Sequence, residues 1–200
     1  MHRVGALARV AIDSENQDVL RSAVVFLHAT LEDFLRSLAM QYLVSAEESV
    51  LNEIPFAGNA RAEKFWLGKL AQFRGRTVDE VIADSVRQHL NHSTYNSAGE
   101  VAGFLESISF DVKHVRDLLP EVDAMMKRRH QIVHRADRDD DNRPATLDLE
   151  AVMNWITATN KLMAQILALA SNREAITAVQ GALKQVIDAL EKAQKEQKTG

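Results

Sequence analysis

A short basic segment, Lys127–Arg138, holds the residues of this sequence that are best suited to chemistry. It has five Lys and Arg residues against one Asp, in a chain of 200 residues with a formal net charge of −4. Arg129, His130 and His134 lie close together within it. A guanidinium can bind two phosphoryl oxygens at once, and an imidazole can move protons near neutral pH. These residue types together indicate chemistry on a phosphate group.

Helical periodicity over residues 120–134 places Arg129 in the middle of an apolar face. Five apolar residues fall within about 60° of Arg129 at 100° per residue: Val122, Met125, Met126, Ile132 and Val133. His130 and His134 lie together along the edge of this face. A guanidinium buried there without a partner would cost several kcal/mol. Either Arg129 pairs with a core carboxylate such as Glu32, or the face lines a cleft or second subunit where the charge meets an anion.

His130 and His134 also have the i, i+4 spacing of a helical zinc pair. A zinc protease with this spacing would need Glu at position 131 as its general base, and this chain has Gln131. No third ligand is evident in the sequence. We therefore expect neither a metal nor another cofactor at this site.

A second histidine lies near a carboxylate earlier in the chain. His28 and Glu32 have i, i+4 spacing at the edge of a predicted helix stripe. They are either a surface pair, which would stabilise a helix only slightly, or they place Glu32 as a partner of Arg129 or His134.

Apolar residues recur at helical spacing along most of the chain, and no alternation typical of strands is sustained. The predicted helices span residues 17–42, 62–73, 77–90, 97–108, 120–134, 149–170 and 173–190. Thr77 with Glu80, and Ser97 with Glu100, match the capping-box pattern at two helix starts. The pattern predicts an all-α bundle of roughly five to seven helices.

The helical pattern also suggests how the chain is divided. We expect a single helical domain over residues 17–190, preceded by an N-terminal extension at 1–16 and followed by a polar tail at 191–200. Residues 137–144 are rich in Asp and read as a solvated acidic turn.

Composition excludes several classes of protein. The chain is 46% hydrophobic and 26% charged, as in soluble globular domains, and its acidic balance argues against a globally cationic nucleic-acid binder. No apolar run is long enough to span a bilayer, and the N-terminal residues lack the apolar core of a signal peptide. The absence of cysteine excludes disulfides, thiolate catalysis and Cys-ligated zinc. We expect a cytoplasmic protein without a membrane partner.

The basic segment resembles a known family. In RRHQIVHRAD, residues 128–137, the run from Arg129 to His134 is similar to the HEPN signature of an Arg, a polar residue, three further residues and a His. The surrounding residues look most like the RiboL-PSP branch of HEPN domains. LHATLEDFLRSLA, residues 27–39, resembles the first helix of that family. The resemblance covers most of residues 17–170 and implies an all-α bundle of a family rich in RNA-cleaving toxins and defence effectors.

The resemblance implies metal-independent RNA cleavage by a homodimer whose two motifs face one cleft. The ribose 2′-OH would attack the adjacent phosphorus, leaving a cyclic phosphate and a 5′-OH. His134 would be the acid/base residue, Arg129 would hold the phosphate, and His130 would orient the substrate. Further substrate-binding candidates are Arg128, Arg135 and Glu32.

The implied partners are RNA, a second copy of the chain, and an antitoxin or sensor protein. Some HEPN toxins carry a Tyr two residues after the motif His, which a partner nucleotidyltransferase modifies. Ala136 stands there in this chain, so that type of antitoxin is not expected.

Arg128 offers a second frame for the motif, but it falls about 100° from Arg129 on the helix, and we prefer Arg129. The alternatives are a non-catalytic HEPN module that binds a nucleotide or a protein, and a structural helical dimer.

Overall fold

The computed structural model describes residues 1–57, 67–138, 142–143 and 145–199. Over these ranges it contains seven α-helices, three short 3₁₀ segments and no β-strand. The α-helices are α1 (His2–Ser14), α2 (Gln17–Leu43), α3 (Glu48–Leu51), α4 (Val78–His92), α5 (Ala98–Ser107), α6 (Leu119–Arg135) and α7 (Leu149–Thr199). The 3₁₀ segments are Leu67–Phe73, Val112–His114 and Arg116–Leu118. The predicted all-α class is confirmed.

Helix α2 lies at the centre of the fold and packs against α1, α4 and α6. The stripe predicted from its spacing is buried apart from the half-buried Phe34, and its fully enclosed leucines include Leu27, Leu31 and Leu35. Burying a leucine side chain completely contributes about 1.5–3 kcal/mol relative to leaving it exposed. The packing of α2 therefore fixes where α6, which carries the basic segment, can lie.

The N-terminal residues form a helix that the sequence reading did not include. In α1, Val4, Ala8 and Ala11 are buried at i, i+4 and i+7 spacing, on the helix that packs along α2. Glu15 ends α1 in the left-handed conformation, and the side chain of Asn16 accepts hydrogen bonds from the first turn of α2. Small alanines made this amphipathic pattern weak in the sequence.

The predicted helix starts are largely confirmed. Thr77 and Glu80 form a complete capping box at the start of α4. At the start of α5 the Ser97 hydroxyl accepts from the N–H of Glu100, but the Glu100 carboxylate accepts from the N–H of Asn96.

Helix α7 is continuous, so the predicted break between residues 170 and 173 is wrong. Ser171 and Asn172 favour helix ends, but two such residues without Pro or Gly do not stop a helix flanked by strong helix formers.

The chain forms two compact units, Met1–Leu162 and Met163–Gly200. The proposed division at residues 16 and 190 stays a prediction. Residues 62–66 of the predicted helix 62–73 lie outside the described residues, and residues 67–73 form a 3₁₀ segment.

Among the described residues, no helix combines the length and hydrophobicity that a bilayer crossing requires.

The end of α6 gives a test of backbone strain. Ala136 ends the helix in the left-handed conformation, with φ of 49°. We expect Ala136→Gly to stabilise the protein by about 1 kcal/mol, because glycine adopts this conformation without the penalty of a side chain. As a control, Ala6→Gly in the interior of α1 should destabilise it by about 1 kcal/mol. Urea denaturation measures the change in the free energy of unfolding for both variants. An Ala136→Gly variant less stable than the wild type would contradict the left-handed conformation at position 136.

Candidate functional site

The motif residues lie in the last two turns of α6, where the helix emerges from the bundle. Met125 and Met126 are fully buried, whereas Val133 is 47% exposed. His130 and His134 are both exposed, and their ring centroids lie 4.5 Å apart. The structure therefore brings two imidazoles together at an accessible surface.

Arg129 is half-buried between the bundle and these histidines. Its Nε atom is buried and has no hydrogen-bond partner. Within the described part of the chain, no carboxylate forms an ion pair with it. The guanidinium is thus held at the edge of the core with its charge uncompensated by a direct partner. This arrangement suits the binding of an anion.

His28 lies on α2 and is buried, so the interpretation of His28 and Glu32 as a surface pair is wrong. Its Nε2 atom is 3.0 Å from the carbonyl oxygen of Tyr95, which can only accept a hydrogen bond. Burial is the main reason that the pKa of His28 lies below its usual range; Glu32 and the Tyr95 carbonyl oppose this shift, and Arg129 lowers the pKa further. His28 is therefore neutral near pH 7, with its proton on Nε2.

The Glu32 carboxylate is engaged by groups other than Arg129. One oxygen lies 3.8 Å from His28 Nδ1, and the other lies 3.6 Å from an Arg36 guanidinium nitrogen and accepts from the N–H of Tyr95. The arrangement ties α2 to the connection between α4 and α5. Glu32 is therefore not the partner of Arg129, which has no ion pair among the residues that the structure describes.

Asp137 is the most enclosed carboxylate near the motif, with an exposed fraction of 1%. Its oxygens lie 2.6 Å from Arg21 Nε and 2.9 Å from Arg128 Nη2. We call Arg21, Arg128 and Asp137 the clasp. The solvated turn expected from residue 137 onward is wrong for Asp137, because its carboxylate is drawn inward by two guanidinium groups. Residues 139–141 and 144 of that turn lie outside the described residues.

The clasp joins three segments of chain. Arg21 also donates to the carbonyl of Ala145, and Arg128 donates to the carbonyl of Thr146. Nearby, the Gln17 side-chain amide donates to the carbonyl of Leu147 and accepts from its N–H. The start of α2, the end of α6 and residues 145–147 are therefore held together just behind His134.

Local backbone geometry at the end of α6 makes the clasp possible. Ala136 and Asp137 both have positive φ values, and the N–H of Asp137 donates to the carbonyl of Gln131. Asp tolerates this conformation better than most residues. The chain reverses there, and the carbonyl of Asp137 accepts from the N–H of Ala145 at 2.8 Å.

The predicted site residues lie in three different places in the structure. Arg129, His130, His134 and Arg135 share the exposed end of α6, whereas Arg128 is held in the clasp. Glu32 lies on α2 beside His28. Their roles in binding and catalysis stay predictions.

Sequence reasoning named His28 but did not predict its burial, and it missed the pairing of Arg21 with Asp137; only the burial of His28 left a signal. His28 continues the apolar stripe of α2 at i+4 from Val24, which could have indicated a buried ring. Arg21 and Asp137 are 116 positions apart and meet only in the folded chain. Among the described residues, no group of three or more His, Cys, Asp or Glu could hold a metal ion.

The clasp predicts a large stability difference between two carboxylates that share Arg21. Asp137→Asn removes a buried charge from two guanidinium groups and should destabilise the protein by about 3 kcal/mol. Asp18 pairs with the same arginine at 2.9 Å but is 89% exposed, so Asp18→Asn should cost less than about 1 kcal/mol. Chemical denaturation compares the two variants. Equal effects would mean that the buried pair contributes no more than the surface pair.

Comparison with known proteins identifies the family of the chain. Searches of curated proteins and of solved structures find no significant match. The family model described as RiboL-PSP-HEPN matches residues 6–172. This range includes most of α1, from Ala6 onward, and the whole of α6 with the motif. Because this match covers well over half of the sequence, the chain belongs to the RiboL-PSP-HEPN family.

Proposed function

We propose that this protein is a metal-independent endoribonuclease that acts as a homodimer. The observation that carries the proposal is that Arg129, which has no ion-pair partner among the described residues, lies at the same end of α6 as two exposed, adjacent imidazoles. Membership of a HEPN family adds support, because many HEPN domains are ribonucleases. The described residues offer a phosphate ligand and acid/base groups but no cluster of metal ligands.

In the proposed reaction, the ribose 2′-oxygen attacks the adjacent phosphorus and the 5′-oxygen leaves. One His134 accepts the proton of the 2′-OH, and the leaving oxygen takes a proton from the His134 of the second copy. Arg129 binds the non-bridging oxygens and stabilises the charge that develops on them. His130, whose ring lies against that of His134, orients the substrate or the acid/base ring. Arg135 supplies further positive charge for the RNA backbone on the same turn.

The exposed end of α6 supports a symmetric dimer. Val133 is 47% exposed beside Arg129, although it continues the apolar face that the bundle buries further up the helix. A second copy packed against this face would bury Val133 and bring the two motifs to one cleft. Such an isologous interface generally buries at least about 1,000 Å².

The proposed biological setting is supported by the family rather than by the geometry. We place the protein in the cytoplasm as a toxin or phage-defence effector, controlled by an antitoxin or sensor protein. A chain without cysteine suits a reducing compartment.

Cleavage of RNA in EDTA tests the catalytic proposal. Purified protein should cleave single-stranded or loop RNA with chelator present and leave cyclic phosphate ends. His134→Ala should lower the rate by about 10²–10⁴, because it removes the acid/base group. Arg129→Ala should lower it by about 10²–10³ through lost charge stabilisation, and His130→Ala should have a smaller effect. Gel assays on varied RNAs, with circular dichroism to verify folding, measure these effects.

The matched control is His89→Ala on α4, a histidine that lies outside the motif helix. Its cleavage rate should equal that of the wild type. If the wild type and His134→Ala behave identically towards all RNAs, including after a trigger or proteolysis is applied, the enzyme proposal fails. A non-catalytic HEPN module that binds a nucleotide or a protein would then account better for Arg129 and His134.

A charge at position 133 tests the dimer. Light scattering at tens of micromolar should give the mass of two chains for the wild type. Val133→Asp should give a monomer with little cleavage activity, because symmetry places the new carboxylate in the interface twice. Val78→Asp is the matched control, since Val78 is 74% exposed at the start of α4. A wild-type monomer, or a Val133→Asp dimer, would contradict the shared-cleft arrangement.

A further inference from the structure

The second half of α7 carries a stripe of large aliphatic side chains that no described residue covers. Ile176, Val179 and Leu183 are 58%, 68% and 58% exposed, and every residue from 171 to 185 is exposed. Helices in proteins owe most of their stability to the packing of an apolar stripe, and a stripe that is left in water is typical of an interaction surface. We call the face of α7 that holds these three residues the α7 seam.

The α7 seam is distinct from the side of α7 that is buried. Leu162, Ile166 and Ala170 are buried, and at 100° per residue the seam is rotated by about 100° around the helix from them. The family model ends at residue 172, so the seam also lies beyond the matched part of the chain. The exposed stripe therefore neither continues the buried side of α7 nor belongs to the matched family domain.

The spacing of the α7 seam indicates what kind of element covers it. Ile176, Val179 and Leu183 follow one another at intervals of three and four residues, and in the sequence the alternation continues to Val186 and Leu190. An apolar repeat with a period of 3.5 residues is typical of a helix that packs along a second helix in a coiled coil. In heptad notation, the Ile and Leu residues take position a, and the Val residues take position d. The occupant is therefore another α-helix.

The charge pattern of this segment favours an occupant with the same sequence. All charged residues from 174 to 195 take heptad positions b, c or f, away from the seam: Glu174, Lys184, Asp188, Glu191, Lys192 and Lys195. Positions e and g, which select partners through their charges, hold only Ala, Gln and Ile over residues 175–190. Two identical helices would thus meet no like charges along their edges, and a helix of different sequence would find no charge to recognise.

An amide in the repeat favours one orientation of the two helices. Asn172 takes position d, one heptad before Val179. In a parallel pair in register, the two Asn172 side chains face each other and can hydrogen-bond. In an antiparallel pair a d residue faces an a residue, so Asn172 would lie against an aliphatic side chain and lose its hydrogen bonds to water. A single polar residue in the core of a coiled coil fixes its register in this way.

We propose that the α7 seam pairs with the same seam of a second copy of the chain, as a short parallel coiled coil in register. The pairing rests on the proposed homodimer and adds a second contact to it. The repeat is only about three heptads long and includes one amide layer, so it does not hold two chains together at tens of micromolar by itself. Once the motif faces have met, the two seams are tethered at an effective concentration on the order of mM, and their pairing strengthens the dimer.

Disulfide formation tests the contact directly, because the chain has no cysteine of its own. Val179→Cys places one thiol of each copy at position d, where a parallel pair brings the two together. Mild oxidation of the full-length protein should link two chains, as seen on a denaturing gel. Ala178→Cys is the matched control at the outer position c, and it should link at least about ten times more slowly because the two Cβ atoms lie too far apart. Equal linking of the two variants, or none of Val179→Cys, overturns the proposal.

The strength of the dimer gives a second readout. Leu183→Asp puts a carboxylate on both sides of the seam and should raise the Kd of the dimer at least about tenfold, measured by sedimentation over a series of concentrations. Gln185→Asp, an exposed residue at position c, adds the same side chain to the same helix and should leave this Kd unchanged. Well above the Kd, Leu183→Asp should cleave RNA as fast as the wild type, because the motif is intact. Equal Kd values for the two variants would contradict the pairing.

The two proposals fail in different ways. Rapid linking of Val179→Cys, with a wild type that cleaves no RNA, would keep the α7 pairing and overturn the ribonuclease proposal. Cleavage that depends on His134, together with a Val179→Cys variant that links no faster than Ala178→Cys, would keep the ribonuclease and overturn the α7 pairing.

Discussion

The buried carboxylate of Asp137 is the interaction on which the arrangement around the motif depends. It holds one guanidinium from the start of α2 and one from the middle of α6, at a point where the chain has just left the helix. Without this charge, Arg21 and Arg128 would face each other across a largely enclosed space. Their repulsion would separate α6 from α2 and from residues 145–147. The last turn of α6, with His134, has a defined position because the clasp closes behind it.

The carboxylates of the site also explain why Arg129 stays available. Asp137 is ion-paired with Arg21 and Arg128, and Glu32 is shared by His28, Arg36 and the backbone of Tyr95. His28 adds no charge beside Arg129, because burial keeps it neutral. An anion that approaches this guanidinium therefore meets no competing carboxylate from the described residues. The protein concentrates its positive charge at the motif although the whole chain is acidic.

The sequence was sufficient for whatever depends on local periodicity. The apolar stripe of α2, the capping box at Thr77, the bounds of α6 and the motif on its last turns all follow from spacing within one helix. It was insufficient where the determining contact is distant. The burial of Asp137 requires Arg21, 116 positions away, and nothing near Asp137 in the sequence distinguishes it from the acidic residues that follow. The continuity of α7 was missed for a different reason, since two residues that favour helix ends were given more weight than their neighbours.

The ambiguity of Arg129 shows what a helical wheel cannot resolve. The wheel projects α6 along its axis and places Val122, Met126 and Val133 on one apolar face, with Arg129 in its middle. In the structure this face is divided along the helix axis: Val122 and Met126 are buried against the bundle, and Val133 is largely exposed. Arg129 lies at the boundary between the two parts, where the residue is half-buried and its Nε atom is enclosed. The position of a residue along the helix, relative to the point where the helix leaves the bundle, decides whether a charge on an apolar face is a core ion pair or a ligand for an anion.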